Sequence, residues 1–305
     1  MSSNAIVNQG NIQRLLQEGV NAVAQFEYER YEPEYKAFLS VEDSEKAYEI
    51  DVSMAGLTSA QEKPEGQEIV TDGEQQLYTT VYQNTVYALG TVITFEAMAN
   101  NLYYNMIQKS GRMLENSLQQ TENIVGADVI NEGYNAAVQL GDGQPLFSED
   151  HVLKSGTASN RFAAPTALSE AALEDACIAV SRYVDNAGLR FNAKVRGVCV
   201  PPELTFDIHR ILGSNFQPGT ANNAVNSIVN MGKFPEGYSV NHYFTDTSKW
   251  FITTDVPDAG KFFSRMGHTF RSDNSDTNTL NYRHIGMTYF STGVTDWRGF
   301  YGSGA

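Results

Sequence analysis

The chain has little of almost everything that announces an activity. Two cysteines, Cys177 and Cys199, occur in 305 residues. That is too few for a disulfide framework and fits a reducing compartment, where lone cysteines act as small buried hydrophobes. No apolar run reaches the ~18 residues that a membrane-spanning helix needs; the most apolar stretch, Val86 to Phe95, is far shorter. The N-terminus, MSSNAIVNQGNIQRLL, has no basic stretch followed by an apolar one, so no secretory signal is expected. Basic residues are scarce: 21 Lys and Arg against 36 Asp and Glu give a formal net charge of −15. Such a chain repels phosphate backbones, which argues against a dedicated nucleic-acid binder. It leaves room for a protein that encloses nucleic acid without gripping it. A soluble protein made and used in a cytoplasm is expected.

Catalytic motifs are equally scarce. Gly232-Lys233 and Gly260-Lys261 are each followed by Phe, so neither ends a phosphate-binding loop. There is no G-x-S-x-G elbow. Gly141-Asp142-Gly143 lacks the third glycine of a dinucleotide loop and is followed by Pro145; it reads as a turn. The five histidines are scattered singly, without the spacing of a zinc-binding helix. Glu149-Asp150-His151 could supply metal ligands or an acid/base pair, but the simpler reading is a polar turn with His151 hydrogen-bonded to the backbone. Asp273, Asp276 and Asn278 resemble part of a calcium loop without its central glycine or terminal glutamate, and read as a solvated turn. Cys177 falls on an apolar helical stripe with nothing basic beside it, which makes it core rather than nucleophile. No catalytic residue, metal or cofactor is predicted, and the balance moves towards a structural role.

What the sequence does have is pattern. Hydrophobic residues make up 41% and charged residues 19%, an ordinary globular composition, and the length allows one large domain or two. Residues 27–76 hold 14 acidic and 4 basic side chains, either a solvated surface or a projecting arm and loop that meets a partner. Residues 11–31 have helical spacing that ends at Glu32-Pro33. From Ala47 to Met54, Tyr48, Ile50, Val52 and Met54 alternate with Ala47, Glu49, Asp51 and Ser53, the signature of a half-buried strand. A turn-rich stretch with Gly56, Pro64, Gly66 and Gly73 leads to a second extended run, Leu77 to Gln83. Together they predict a long acidic β-hairpin over 46–83, with a tip from about Ala55 to Gln76. An isolated hairpin is marginal in water, so its apolar face needs support, and a neighbouring copy of the chain is one source. Residues 95–122 fit one long helix, with Phe95, Met98, Leu102, Met106 and Met113 on one stripe and Tyr103, Ile107, Leu114 and Leu118 on a second.

From residue 165 the pattern becomes mixed α/β. Ser169 is a helix N-cap, with Leu168 and Leu173 placed as a hydrophobic staple. Leu173, Cys177, Val180 and Val184 continue the stripe, and Asn186-Ala187-Gly188 should stop it. A strand is expected at Val195–Val200, and a helix from Pro201-Pro202 to Gly213. Residues 214–237 read as loop and 238–301 as mainly strand. Ile285, Met287 and Tyr289 alternate before a break at Gly293.

The segments GDGQPLFSEDHVLKSG at 141–156, APTALSEAALEDA at 164–176, VPPEL at 200–204, QPGTANNAVN at 217–226, DTSKWFITTD at 246–255 and TDWRGFYGS at 295–303 carry a resemblance. In this order and spacing the chain resembles the tailed-phage major capsid proteins of the Hong Kong 97 type, and most closely the major head subunit of Mu-like phages. The resemblance is closest over residues 128–301; before that it rests on the order arm, hairpin, long helix. It implies an α+β capsid fold: arm 1–42, extended loop 43–91, a peripheral domain of 92–140 and 256–292 holding the long helix, and an axial domain of 141–255 and 293–305. It also implies a major capsid protein that assembles as pentamers and hexamers into an icosahedral shell around double-stranded DNA. The alternatives are an encapsulin-like shell around cargo enzymes and a monomeric hydrolase built on His151. The chain reaches the hairpin by about residue 46, so the resemblance implies a separate scaffolding protein, with portal and cement proteins as further partners and the virion as location. The expected contacts between subunits are Tyr48, Ile50 and Val52 on the hairpin strand and Glu62, Glu65 and Glu68 on its tip.

Overall fold

The structure is a computed structural model that describes residues 32–54, 56–73, 76–94, 96, 103–154, 156–190, 192–216, 225–273 and 281–304, without the side chains of 103–108, 272 and 273. The expected helix at 11–31 lies outside the described residues. So do Asp276 and Asn278.

In chain order the strands are β1 (Ser40–Asp43), β2 (Tyr48–Met54), β3 (Gln76–Gln83), β4 (Thr85–Ile93), β5 (His151–Leu153), β6 (Gly156–Ala158), β7 (Val195–Val200), β8 (Gly237–Val240), β9 (Phe251–Thr254), β10 (Gly260–Asp273), β11 (Tyr282–Val294) and β12 (Phe300–Gly302). The helices are α1 (Tyr103–Asn131), α2 (Glu170–Ser181), α3 (Thr205–Leu212) and α4 (Ser227–Asn230).

One sheet has the order β1-β10-β11-β4, with β1 parallel to β10 and the other pairs antiparallel. α1 packs across it. At ~1.5 Å per residue its 29 residues span roughly 44 Å. The buried face of α1 is carried by Leu114, Glu115, Leu118, Gln119, Glu122, Ala127 and Ile130, a run at helical spacing. The helix runs past the expected end at 122 to Asn131, and residues 95 and 97–102 of the expected span lie outside the described residues. Met113 is exposed rather than part of the core stripe, because the face that meets the sheet also carries three polar residues that a hydrophobic count ignores. On β11 the outcome is similar. Ile285, Met287 and Tyr289 are only half-buried, while His284, Gly286, Thr288 and Phe290 form the buried face. Nor does the strand break at Gly293; a Cβ there would sit 2.7 Å from Tyr82 Cε1, so the glycine serves a close approach. Through this core runs a stack of four rings, Tyr35–Phe262–Phe290–Tyr87, with centroids 4.3, 4.9 and 4.8 Å apart, a near-parallel ladder worth more than its area alone.

The second sheet has the order β12-β9-β7-β8 and is continuous with the same hydrophobic core. Val198, Val200 and Ile252 within it are fully buried. Ser169 caps α2 as the sequence predicts, its hydroxyl accepting from the Ala172 amide. Leu173, Ala176 and Val180 are buried, while Cys177 is half-buried and its thiol is pushed up to about 11 by burial. The helix stops at Ser181, short of the expected Asn186-Ala187-Gly188. Val184 instead pairs with Arg190 across a tight turn, in which Gly188 takes φ 85°. Pro202 opens the next helical stretch and Gly213 ends it, whereas the expected loop at 214–237 contains α4 as well. Because Leu173 is 0% exposed, Leu173→Ala is expected to cost about 2–5 kcal/mol in a denaturant melt. A cost near zero would place this stripe at the surface.

Candidate assembly surface

Among the described residues β2 and β3 pair only with each other, antiparallel, with Tyr48 opposite Gln83 and Ile50 opposite Val81. The two-stranded ribbon therefore depends on anchors at its base, which come from its polar face. Asp51 accepts from Lys261 Nζ at 2.8 Å and from Thr295 Oγ1 at 2.9 Å, and the Tyr82 hydroxyl meets Thr295 Oγ1 at 2.5 Å. Lys261, on β10, also faces Glu42 at 3.5 Å and Asp258 at 3.7 Å. Burial alone would raise Asp51, but the hydrogen bonds from Lys261 and Thr295 hold it below the ordinary carboxylate value. Burial likewise pulls Lys261 down, and its three carboxylates outweigh that and raise it. Tyr82 is raised well above the ordinary phenol value by burial. Further along, the Tyr78 hydroxyl donates to the Val152 carbonyl at 2.7 Å. Near the tip Asp72 closes the loop by accepting from both the amide and hydroxyl of Thr58, each at 2.8 Å.

The apolar face of the ribbon is left open. Tyr48, Ile50, Met54 and Val81 are 55, 54, 55 and 58% exposed. Of the residues expected at the contact, Tyr48 and Ile50 lie on this face, Val52 is half-buried, and Glu62, Glu65 and Glu68 are exposed on the tip. The alternation in the sequence marks the two faces but not which of them meets the rest of the subunit. That choice is made by Lys261 and Thr295, more than 200 residues away in sequence, and no local signal marks them.

The catalytic candidates have a different fate. Asp142 and His151, read separately as turns, come together: His151 Nδ1 lies 2.6 Å from Asp142 Oδ2, and the two side chains are 0 and 1% exposed. Nε2 lies 3.2 Å from Asn160 Oδ1. Asn160 is itself fixed by donating to the carbonyls of Leu146 and Trp297. The imidazole is stacked on the Trp297 indole at 4.3 Å. The partners are thus side chains rather than the expected backbone, and β5 places the ring in the interior. With both ring nitrogens committed and no solvent access, the arrangement cannot take a proton from a nucleophile. It is a clasp between the turn at Asp142 and β5, and a hydrolase built on His151 is not supported by it. Among the described residues no group of three His, Cys, Asp or Glu could hold a metal ion, and no helix is long and apolar enough to cross a membrane.

The ribbon thus joins an anchored base to an exposed apolar face. The profile of the phage capsid protein family matches residues 77–303. The chain belongs to that family. Its fold is that of the virus-like particle from Pyrococcus furiosus (10% identity, TM-score 0.56, over 93% of this chain and 98% of that one). It also matches the capsid of the native GTA particle (10%, 0.57, 88% and 89%) and Mycobacterium phage Patience (12%, 0.54, 99% and 93%). A search of curated proteins by sequence gives no match. The capsid chain is therefore a structural protein of the Hong Kong 97-type fold, a major capsid protein whose repeated copies form an icosahedral shell, with the virion as its place.

Proposed function

We propose that this capsid protein is the major head subunit of a Mu-like tailed phage, assembling as pentamers and hexamers around double-stranded DNA in the host cytoplasm. A separate scaffolding protein, a portal and cement proteins are the proposed partners. The proposed division is arm 1–42, extended loop 43–91, peripheral domain 92–140 with 256–292, and axial domain 141–255 with 293–305. The second sheet supports the axial part, drawing β7, β8 and β9 from 141–255 and β12 from the C-terminal piece, while the sheet under α1 draws β10 and most of β11 from 256–292 and takes in β1 and β4, which the division gives mainly to the arm and extended loop.

The observation that carries the reading is the open apolar face of the hairpin, which we assign to the adjacent subunit, with Tyr48, Ile50 and Val52 in the contact. Glu62, Glu65 and Glu68 on the tip would then face basic groups of the neighbour. Exposed polar loop tips are preferred cleavage sites. In the unassembled subunit a glutamate-specific protease should therefore cut after Glu62, Glu65 or Glu68, and in sedimented particles the same bonds should resist. Raising salt should weaken that protection, because exposed charge pairs are screened. Limited proteolysis of both forms, read by mass spectrometry, decides it. Equal cleavage in particle and subunit would remove the proposed clasp.

A further inference from the structure

Beneath α1 lies a charged cluster that the capsid reading does not use. His268 sits on β10 beside a register shift: Met266 faces Tyr289 and Thr269 faces Met287, so three residues span what two span on β11. That extra residue is a β-bulge, the device by which a strand re-aims a side chain. Here it brings the imidazole to the helix. Nδ1 lies 2.7 Å from Glu115 Oε1 and Nε2 lies 2.8 Å from Glu122 Oε1. All three side chains are buried, at 6, 0 and 7% exposure.

A neutral imidazole has one N–H and one lone pair, whereas the imidazolium has two N–H donors. Carboxylates at hydrogen-bond distance on both nitrogens therefore require the doubly protonated ring. If the proton leaves, one nitrogen turns a lone pair toward a carboxylate, and two buried negative charges remain in a medium of low dielectric.

Other donors reach the two carboxylates. Gln119 on α1 donates to Glu115 Oε1 at 3.1 Å, while Glu115 Oε2 is buried with no hydrogen-bond partner among the described residues. From β11, Thr288 donates to Glu122 Oε1 at 2.9 Å. From the N-terminal side, the Tyr35 hydroxyl donates to Glu122 Oε2 at 3.4 Å. On the buried face of β11, His284 is held below the ordinary histidine value by burial. Arg265 on β10 is committed to Tyr289.

We propose that Glu115, His268 and Glu122 form a proton-held clasp that fixes α1 on the β10–β11 sheet and loosens it as the solution becomes alkaline. Burial by itself would lower the His268 pKa, but the hydrogen bonds and charges of Glu115 and Glu122 override it and push it up to about 9. In the opened state the ring returns to the ordinary ~6.5. A group raised on folding contributes fully below the opened-state value, and its contribution is lost as pH rises through the folded one. The window is thus about pH 6.5 to 9, where the opening equilibrium should rise by up to roughly tenfold per pH unit.

The test is hydrogen–deuterium exchange of residues 111–131 in the purified protein across that window, corrected for intrinsic exchange rates, beside His268→Gln. Wild-type protection should fall steeply from pH 6.5 to 9 and then level, while the variant, weakly protected throughout, should show no such slope. A flat wild-type profile, or an equal slope in the variant, overturns the clasp. Should His268→Gln not fold, the His268 ring resonance of the wild-type protein decides instead: a midpoint near 9 supports the proposal and one near 6.5 ends it.

Discussion

Ile50→Asp subunits are expected to fold normally and to form no shells. In the single chain Ile50 is 54% exposed and its cross-strand partner Val81 is 58% exposed. A carboxylate there stays in water and should change folding stability by no more than about 0.5 kcal/mol. The anchors of the ribbon, Asp51, Tyr82 and Lys261, lie on its other face and are untouched. In the proposed contact the same carboxylate would be desolvated without a partner, which costs several kcal/mol. That cost recurs in every subunit of a closed shell, so it multiplies. Sedimentation should show only small species, while the melting temperature stays within a degree or two of wild type. Shells at normal yield would mean that this face is not the contact.

His151→Ala should act through the opposite route, by destabilising the subunit itself. Reading the sequence, one expects the substitution to leave particle yield intact unless the histidine has a packing role. The structure supplies that role, because His151 is the partner of a carboxylate that is 1% exposed. Removing one member of a buried pair leaves an uncompensated charge, at about 3–5 kcal/mol, and the stack on Trp297 is lost with it. That is a large part of the 5–15 kcal/mol by which a typical domain is stable. Soluble yield should fall sharply, and denaturant melts should shift to much lower midpoints. The double variant Asp142→Asn, His151→Ala should recover part of the loss, since the orphaned charge is gone. A His151→Ala protein as stable as wild type would show that the pair contributes nothing net.

These two residues mark the limits of what the sequence reveals. The hairpin strands were legible because alternation is a local property: Tyr48–Met54 and Gln76–Gln83 lie within a residue or two of the expected runs. The cap at Ser169 and the strand Val195–Val200 were legible for the same reason. The buried face of α1 was only partly legible because Glu115, Gln119 and Glu122 lie on it, and hydrophobic periodicity reads buried polar residues as surface. The Asp142–His151 pair and the Asp51–Lys261–Thr295 anchor were invisible. Each joins residues whose proximity is created by the fold, and none of the segments involved carries a pattern of its own. The open face of the ribbon was half legible. Its apolar residues were named, but only the structure turns them away from the parent subunit.

The parallel pairing of β1 with β10 has a consequence in time. Ser40 lies against Lys261 and Asp43 against Ser264, so this edge of the sheet joins segments about 220 residues apart. Loops of that length close slowly. At ~5–20 residues per second on the ribosome, β1 must also wait roughly 10–45 s for its partner to be made. β11, which sits between β10 and β4, is synthesised later still. During that interval the ribbon β2–β3 has already emerged, but Lys261 and Thr295, which orient it, do not yet exist. A nascent chain therefore carries its exposed apolar ribbon before it carries the residues that anchor it. Under the proposed contact, productive association would wait until both anchors have been made, and an earlier encounter between two growing chains would join unaimed ribbons.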